Sequence, residues 1–428
     1  MGRPRHERRT RAAAPTAAGE RLRSLDALRG VSILGILLVN VQSFAMIEAA
    51  YLNPTAYGDL SGVNGWCWLA VHLFADRKHL PIFAALLAAG ILQMERRSAA
   101  AGFARLHYRR MGWLAVFGLV HAALLWSGDI LLALALSGAL VFPLRGGAPR
   151  WLAGGGLLVL AASSLLPLIA GLSVSYWSPE ARLEQELEWR PDARRVEQET
   201  AFHLASWREQ VAGRVGSVSV RSVIFLLGSA WQIAGYMLIG MALFKWGFLT
   251  GERLPRCYRN ALAAGLGIGL PIVAVGTWLS FRTHWQLDFA MFHGSQLNAW
   301  GSLLMALGYV AAMLLGDRVQ RLSGLYNRLA AVGRMALSNY LAQSLICSTL
   351  FYGHGLALFG RLDRGQQLLV VLAVWAVSLV VSPLWLRRFA FGPAEWLWRS
   401  LSYRKLQPQR RQRPRSGPRG LAGRLAGG

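Results

Sequence analysis

Asp26 and Arg29 stand three residues apart in Arg21-Leu-Arg-Ser-Leu-Asp26-Ala-Leu-Arg29-Gly30, so an acid and a base share one helix face; the same helix reaches an amide at Asn40. An Arg in that place either anchors a helix end by snorkelling to water or meets an anionic ligand, and Asn40, about 16 Å further along, either caps the far end or takes part in chemistry. His72, Asp76 and His79 follow at spacings of four and three. A His beside an Asp is the smallest general base with its orienter, whereas Asp76-Arg77-Lys78 is equally an interfacial salt bridge. His121 precedes Asp129 by two helical turns; the pair reads as a base with its carboxylate, or as a packing His with a helix cap. In Gly333-Arg334-Met-Ala-Leu-Ser338-Asn339-Tyr340-Leu-Ala-Gln343-Ser344, an Arg precedes a polar run in which Asn339 and Gln343 share a helix face. Such density exceeds what helix packing needs and predicts a lined cavity or substrate path.

The elements that carry these residues must cross a bilayer. Leu28 to Ile47 contains one ionised side chain, Arg29, and twenty helical residues span roughly 30 Å, the thickness of the hydrocarbon. With 54% hydrophobic and 16% charged residues, the chain reads as an all-α polytopic transmembrane helix bundle of about ten spans. These fall near 25–47, 64–94, 111–127, 129–144, 151–172, 222–245, 258–280, 296–315, 333–353 and 366–386. In the second, Asp76-Arg77-Lys78-His79-Leu80-Pro81 predicts two half-helices with a break. Gly235 and Gly240 in the sixth predict close helix packing. With both termini cytoplasmic, the cytoplasmic segments hold 33 of the 46 Lys and Arg, as the positive-inside rule requires. The expected organisation is therefore a basic arm (1–23), an N-terminal membrane half (24–172), a periplasmic loop (173–221), a C-terminal membrane half (222–403) and a disordered basic tail (404–428).

The net charge of +25 sits mostly in the termini and cytoplasmic loops, which argues for anionic lipid headgroups and against nucleic acid. The apolar part of the N-terminal region is too long for a signal peptide. Cys67, Cys257 and Cys347 fall in separate places, so no disulfide is expected, and no metal spacing, Walker motif or Gly-x-Ser-x-Gly elbow is present.

Three stretches together resemble the YeiB family of bacterial inner-membrane proteins: Ser24-Leu-Asp26-Ala-Leu-Arg29-Gly30 with Gly35-Ile-Leu-Leu-Val-Asn40, Leu238-Ile-Gly240-Met-Ala-Leu with Trp246-Gly247, and Gly333 to Ser344. More remotely, the first span is similar to heparan-α-glucosaminide N-acetyltransferases and other membrane acyltransferases. That resemblance implies cytoplasmic acyl-CoA as donor, with no resident cofactor or metal, Asn40 as a polar participant and Asp76 as an acid. Those enzymes carry a catalytic His about eleven residues past the Asn, where this chain has Tyr51. The expected function is transfer of an acyl group from acyl-CoA to a membrane or periplasmic acceptor. Asp26, Arg29, Arg334, Asn339, Gln343 and Ser344 then bind substrate, and His72, Asp76, His121 and Asn40 act chemically. The alternative is a small-metabolite transporter lined by the ninth span; a membrane organiser acting through its basic tail is the third possibility.

Overall fold

The computed structural model describes residues 23–96, 102–216 and 220–410. Among them there is helix and no strand, and the architecture is an all-α polytopic bundle. Helix α1 (Arg23–Ala45) is followed by the short α2 (Glu48–Leu52), and the expected broken second span is α3 (Gly62–Phe74) and α4 (His79–Glu95). Next come α5 (Phe103–Leu124), α6 (Leu131–Val141) and α7 (Pro149–Ser173). The 173–221 segment, expected only as a loop, folds into α8 (Pro179–Trp189), α9 (Ala193–Leu204) and α10 (Trp207–Gly216); Ser178 and Asp192 cap the first two by accepting the backbone N–H three residues on.

The second half holds α11 (Val220–Lys245), then α12 (Pro255–Ala264) joined to α13 (Leu270–Arg282) by a π-helical turn at Gly265–Gly269. A short α14 (Leu287–Phe289) leads through another π turn to α15 (Ser295–Gly316). The ninth expected span, 333–353, is α17 (Ala336–Phe351), preceded across a break at Met335 by α16 (Ser323–Arg334); α18 (Arg364–Arg388) and an amphipathic α19 (Pro393–Tyr403) follow. Among the described residues, six helical stretches are by themselves long and apolar enough to cross a membrane: those at Arg23–Ala45, Pro149–Tyr176, Leu226–Lys245, Pro255–Arg282, Leu287–Gly316 and Arg364–Arg388.

The largest core lies where α4, α6, α7, α11 and α15 meet, around Leu86, Leu134, Met237 and Val310. As expected, Gly235 packs against α7 and Gly240 against the backbone of Ala85 on α4. The basic loops gather at one end of the bundle, tied by Arg23 to Asp317 (2.7 Å), Arg145 to Glu95 (2.8 Å) and Lys245 to the Gly147 carbonyl (2.7 Å). The tail expected to be disordered from residue 404 is packed as far as 410: the Ala390 N–H donates to the Gln409 carbonyl and the Trp396 indole to that of Gln407, both at 2.8 Å. The remaining tail and the basic arm, with their expected lipid contacts, lie outside the described residues.

Candidate functional site

Two glycines set the rim of a cavity. Where α1 crosses α16, Gly30 faces the Leu329 carbonyl and the Gly333 backbone, while Gly333 faces the Asp26 carbonyl, with no room for a side chain at either. The Asp26/Arg29 and Gly333/Arg334 motifs are thereby pressed together from opposite ends of the chain. Arg29 binds Asp26 at 2.6 Å and lies over Gly90 of α4. The cavity, of about 220 Å³, opens between α1, α4, α5, α6, α17 and α19. Arg29, Arg110, Arg334 and Arg399 line it together with two acids, Asp26 and Glu395. Its walls are Ile33, Phe83, Leu86, Leu87, Met111, Leu114, Leu131 and Leu134.

The rim is held by helix ends. Glu395, on α19, accepts the backbone N–H groups of Leu337 (2.7 Å) and Ser338 (3.1 Å) and the Ser338 hydroxyl, so it caps α17 and fixes α19 beside the cavity. Burial pushes its carboxyl above the usual range, against the pull of those bonds. The guanidinium of Arg110 lies 4.1 Å from the centre of the Trp398 ring, and its Nη1 has no hydrogen-bond partner among the described residues. This lining is amphiphilic, cationic at the mouth and apolar within.

At the inner end stands Tyr340, 2% exposed, whose hydroxyl accepts the Ile130 N–H at 3.3 Å. Its ring centre is 5.0 Å from that of His121. His121 Nδ1 approaches Asp129 Oδ1 to 2.9 Å, off the line of a hydrogen bond, and the two side chains are 1% and 3% exposed. Asp129 Oδ2 meanwhile accepts the Leu132 N–H and caps α6. His121 does not itself line the cavity.

The other sequence candidates form a separate group around the α3–α4 break. His72 Nδ1 lies 3.3 Å from Asp76 Oδ2, which also accepts from Asn298 Nδ2 at 2.6 Å. Ser302 donates to Asn298 Oδ1, and the fully buried Lys78 ammonium donates to the His72 carbonyl at 2.9 Å and to Asn298 Oδ1 at 3.5 Å. Arg77, at φ 59°, turns the chain here, and His79 packs against Gly35 of α1. His79 thus leaves the His72–Asp76 stripe. Asn40 is half-buried and makes no side-chain hydrogen bond to a described residue.

Of the ninth-span candidates, Arg334 lines the cavity and Asn339, Gln343 and Ser344 do not. Asn339 donates to the Val332 carbonyl (3.0 Å) and to Ser382 Oγ (3.1 Å), tying α16, α17 and α18 together; Gln343 and Ser344 are buried beyond the cavity. Asn339 lies about 100° and Gln343 about 60° round the helix from Tyr340, which lines the cavity together with Ala336 and Leu337. Residues passed over by spacing arguments are Tyr340, Arg110, Trp398, Lys78, Asn298 and Glu395. Glu395 did carry a signal, being the sole acid after Asp363.

Comparison with known proteins places the chain in a family. The family described as "Protein of unknown function (DUF418)" matches residues 243–405, which include Arg334, Tyr340 and all of α19. Protein YeiB of Escherichia coli is 36% identical over 403 residues, 91% of this chain and 98% of the relative. Protein YxaH of Bacillus subtilis is 28% identical over 419 residues, 92% and 97% of the two chains. No solved structure matches. Near-complete coverage of both chains at that identity makes this protein a member of the YeiB family.

Proposed function

We propose that the protein is a membrane-embedded acyltransferase that takes acyl-CoA into the cavity between α1, α4, α5, α17 and α19. The observation that carries this reading is the lining itself: four arginines at the mouth suit phosphates, and the apolar barrel behind them suits the pantetheine arm and acyl group. Along α1 the lining runs from Leu25 to Ile33, about 12 Å, and along α4 from Met94 to Phe83, about 16 Å, a depth suited to an extended arm. The loops at that end carry the basic excess, so the mouth faces the cytoplasm, where acyl-CoA is found. In the transfer, the thioester C–S bond breaks and a C–O or C–N bond forms to an acceptor hydroxyl or amine. The acceptor's proton is taken up by His121, which stands beside Asp129 and behind the ring of Tyr340, and is returned to the departing CoA sulfur as thiol.

The test is transfer of radiolabel from acetyl-CoA in vesicles holding the protein. Label should pass to protein, lipid or added acceptor with the wild type and fall at least about a hundredfold with His121→Gln. No transfer from acetyl-, octanoyl- or palmitoyl-CoA overturns the reading.

A second reading, small-metabolite transport, draws on the α3–α4 break around Asp76 and Lys78, since interrupted helices around buried ionisable groups are how many transporters build a site. Solute uptake lost in Asp76→Asn, with label transfer absent, favours it.

A further inference from the structure

We infer that Tyr340 is the residue that meets the ligand's carbonyl, donating its hydroxyl hydrogen to the thioester oxygen at the inner end of the cavity. The inference rests on the acyl-CoA reading and sharpens it to an acyl thioester, as distinct from CoA or any other anion with an apolar tail.

Three observations converge on this hydroxyl. It lies on a residue that lines the cavity and is 98% buried, where a polar group needs partners. Its oxygen already accepts the Ile130 N–H, which fixes where it sits; the hydrogen it can donate is given to no other described residue. Its ring is confined by His121, itself held beside Asp129, so the donor is preorganised before a ligand arrives. The walls offer little else at that depth. Leu131, Leu134, Leu114 and Ile33 present no side-chain donor, so a carbonyl reaching the floor has Tyr340 to bind. The contact is a hydrogen bond and moves no proton.

The test compares two ligands that differ at this oxygen: acetyl-CoA, and S-ethyl-CoA, a thioether without the carbonyl. Binding to the purified full-length protein in detergent should favour acetyl-CoA by roughly three- to tenfold, the worth of one neutral hydrogen bond. Tyr340→Phe, which keeps the ring against His121, should abolish that preference while leaving the affinity for free CoA within about twofold. Equal binding of both ligands by the wild type overturns the inference and leaves the cavity reading standing. A Tyr340→Phe protein that binds free CoA and still discriminates overturns it as well. Failure of the wild type to bind any of the three compounds overturns the acyl-CoA reading and this inference with it.

Discussion

Arg110 and Arg29 contribute charge to the same cavity by different means, and their substitutions should differ accordingly. Arg29 is neutralised by Asp26 at 2.6 Å, so removing it leaves a buried carboxylate without its partner and lowers stability as well as binding. Arg110 has no carboxylate within ion-pair distance among the described residues and rests on Trp398, leaving its charge available to a phosphate. Arg110→Gln should therefore weaken CoA about ten- to hundredfold, the worth of a charged hydrogen bond of roughly 1.5–3 kcal/mol. Arg29→Ala should show weaker binding and a lower melting temperature together; calorimetric titration beside thermal melts separates the two. Asp26, Arg29 and His121 were readable as residues because ionisable groups inside apolar runs stand out. Tyr340 was not, because a tyrosine in an apolar helix looks like ordinary core until its hydroxyl is seen at a cavity floor.

The crossing of α1 and α16 is an element-scale device, and Gly333→Ala tests it. A methyl there meets the Asp26 carbonyl and must push the helices apart, at a cost of about 1–3 kcal/mol, so both the melting temperature and CoA affinity should fall. At the other end of the bundle, α9 carries two half-buried titratable groups of opposite tendency. Burial pushes Glu199 up to about 7, with the Glu48 charge adding and a 2.7 Å bond from the Glu48 N–H opposing; burial pushes His203 down to about 4. The stability tied to Glu199 is present below its ordinary 4.5 and lost as pH rises through about 7. That tied to His203 is present above 6.5 and lost as pH falls through about 4. Between pH 4.5 and 6.5 the slopes oppose each other. Glu199→Gln should make the melting temperature rise with pH across that window, and His203→Phe, which preserves the stack on Phe359, should make it fall. Identical pH profiles in the two variants would contradict the assignment. None of this was legible beforehand, because α8 to α10 carry mixed charge and no apolar stripe long enough to mark them as more than a loop.

For the molecule as a whole, the cavity is completed by α19 and by the seven residues after it, which pack back on Ala390 and Trp396. Truncation after Tyr403 should loosen that wall and weaken CoA binding, whereas truncation after Arg410 should leave it unchanged; one binding titration on each protein decides. The sequence alone determined the class of molecule: apolar runs of bilayer length, a basic excess in alternate loops, and the Asp76 to Pro81 interruption predict a polytopic all-α bundle with a broken second span, since these follow from the local cost of exposing polar backbone and charge to lipid. Only the tertiary structure decided which motifs share a site. Gly30 meeting Gly333 across some 300 residues, Asp76 bonding Asn298, and Glu395 capping α17 are pairings between distant segments. Spacing within a helix shows which side chains share a face, and the partner of that face is set by packing among all the helices at once.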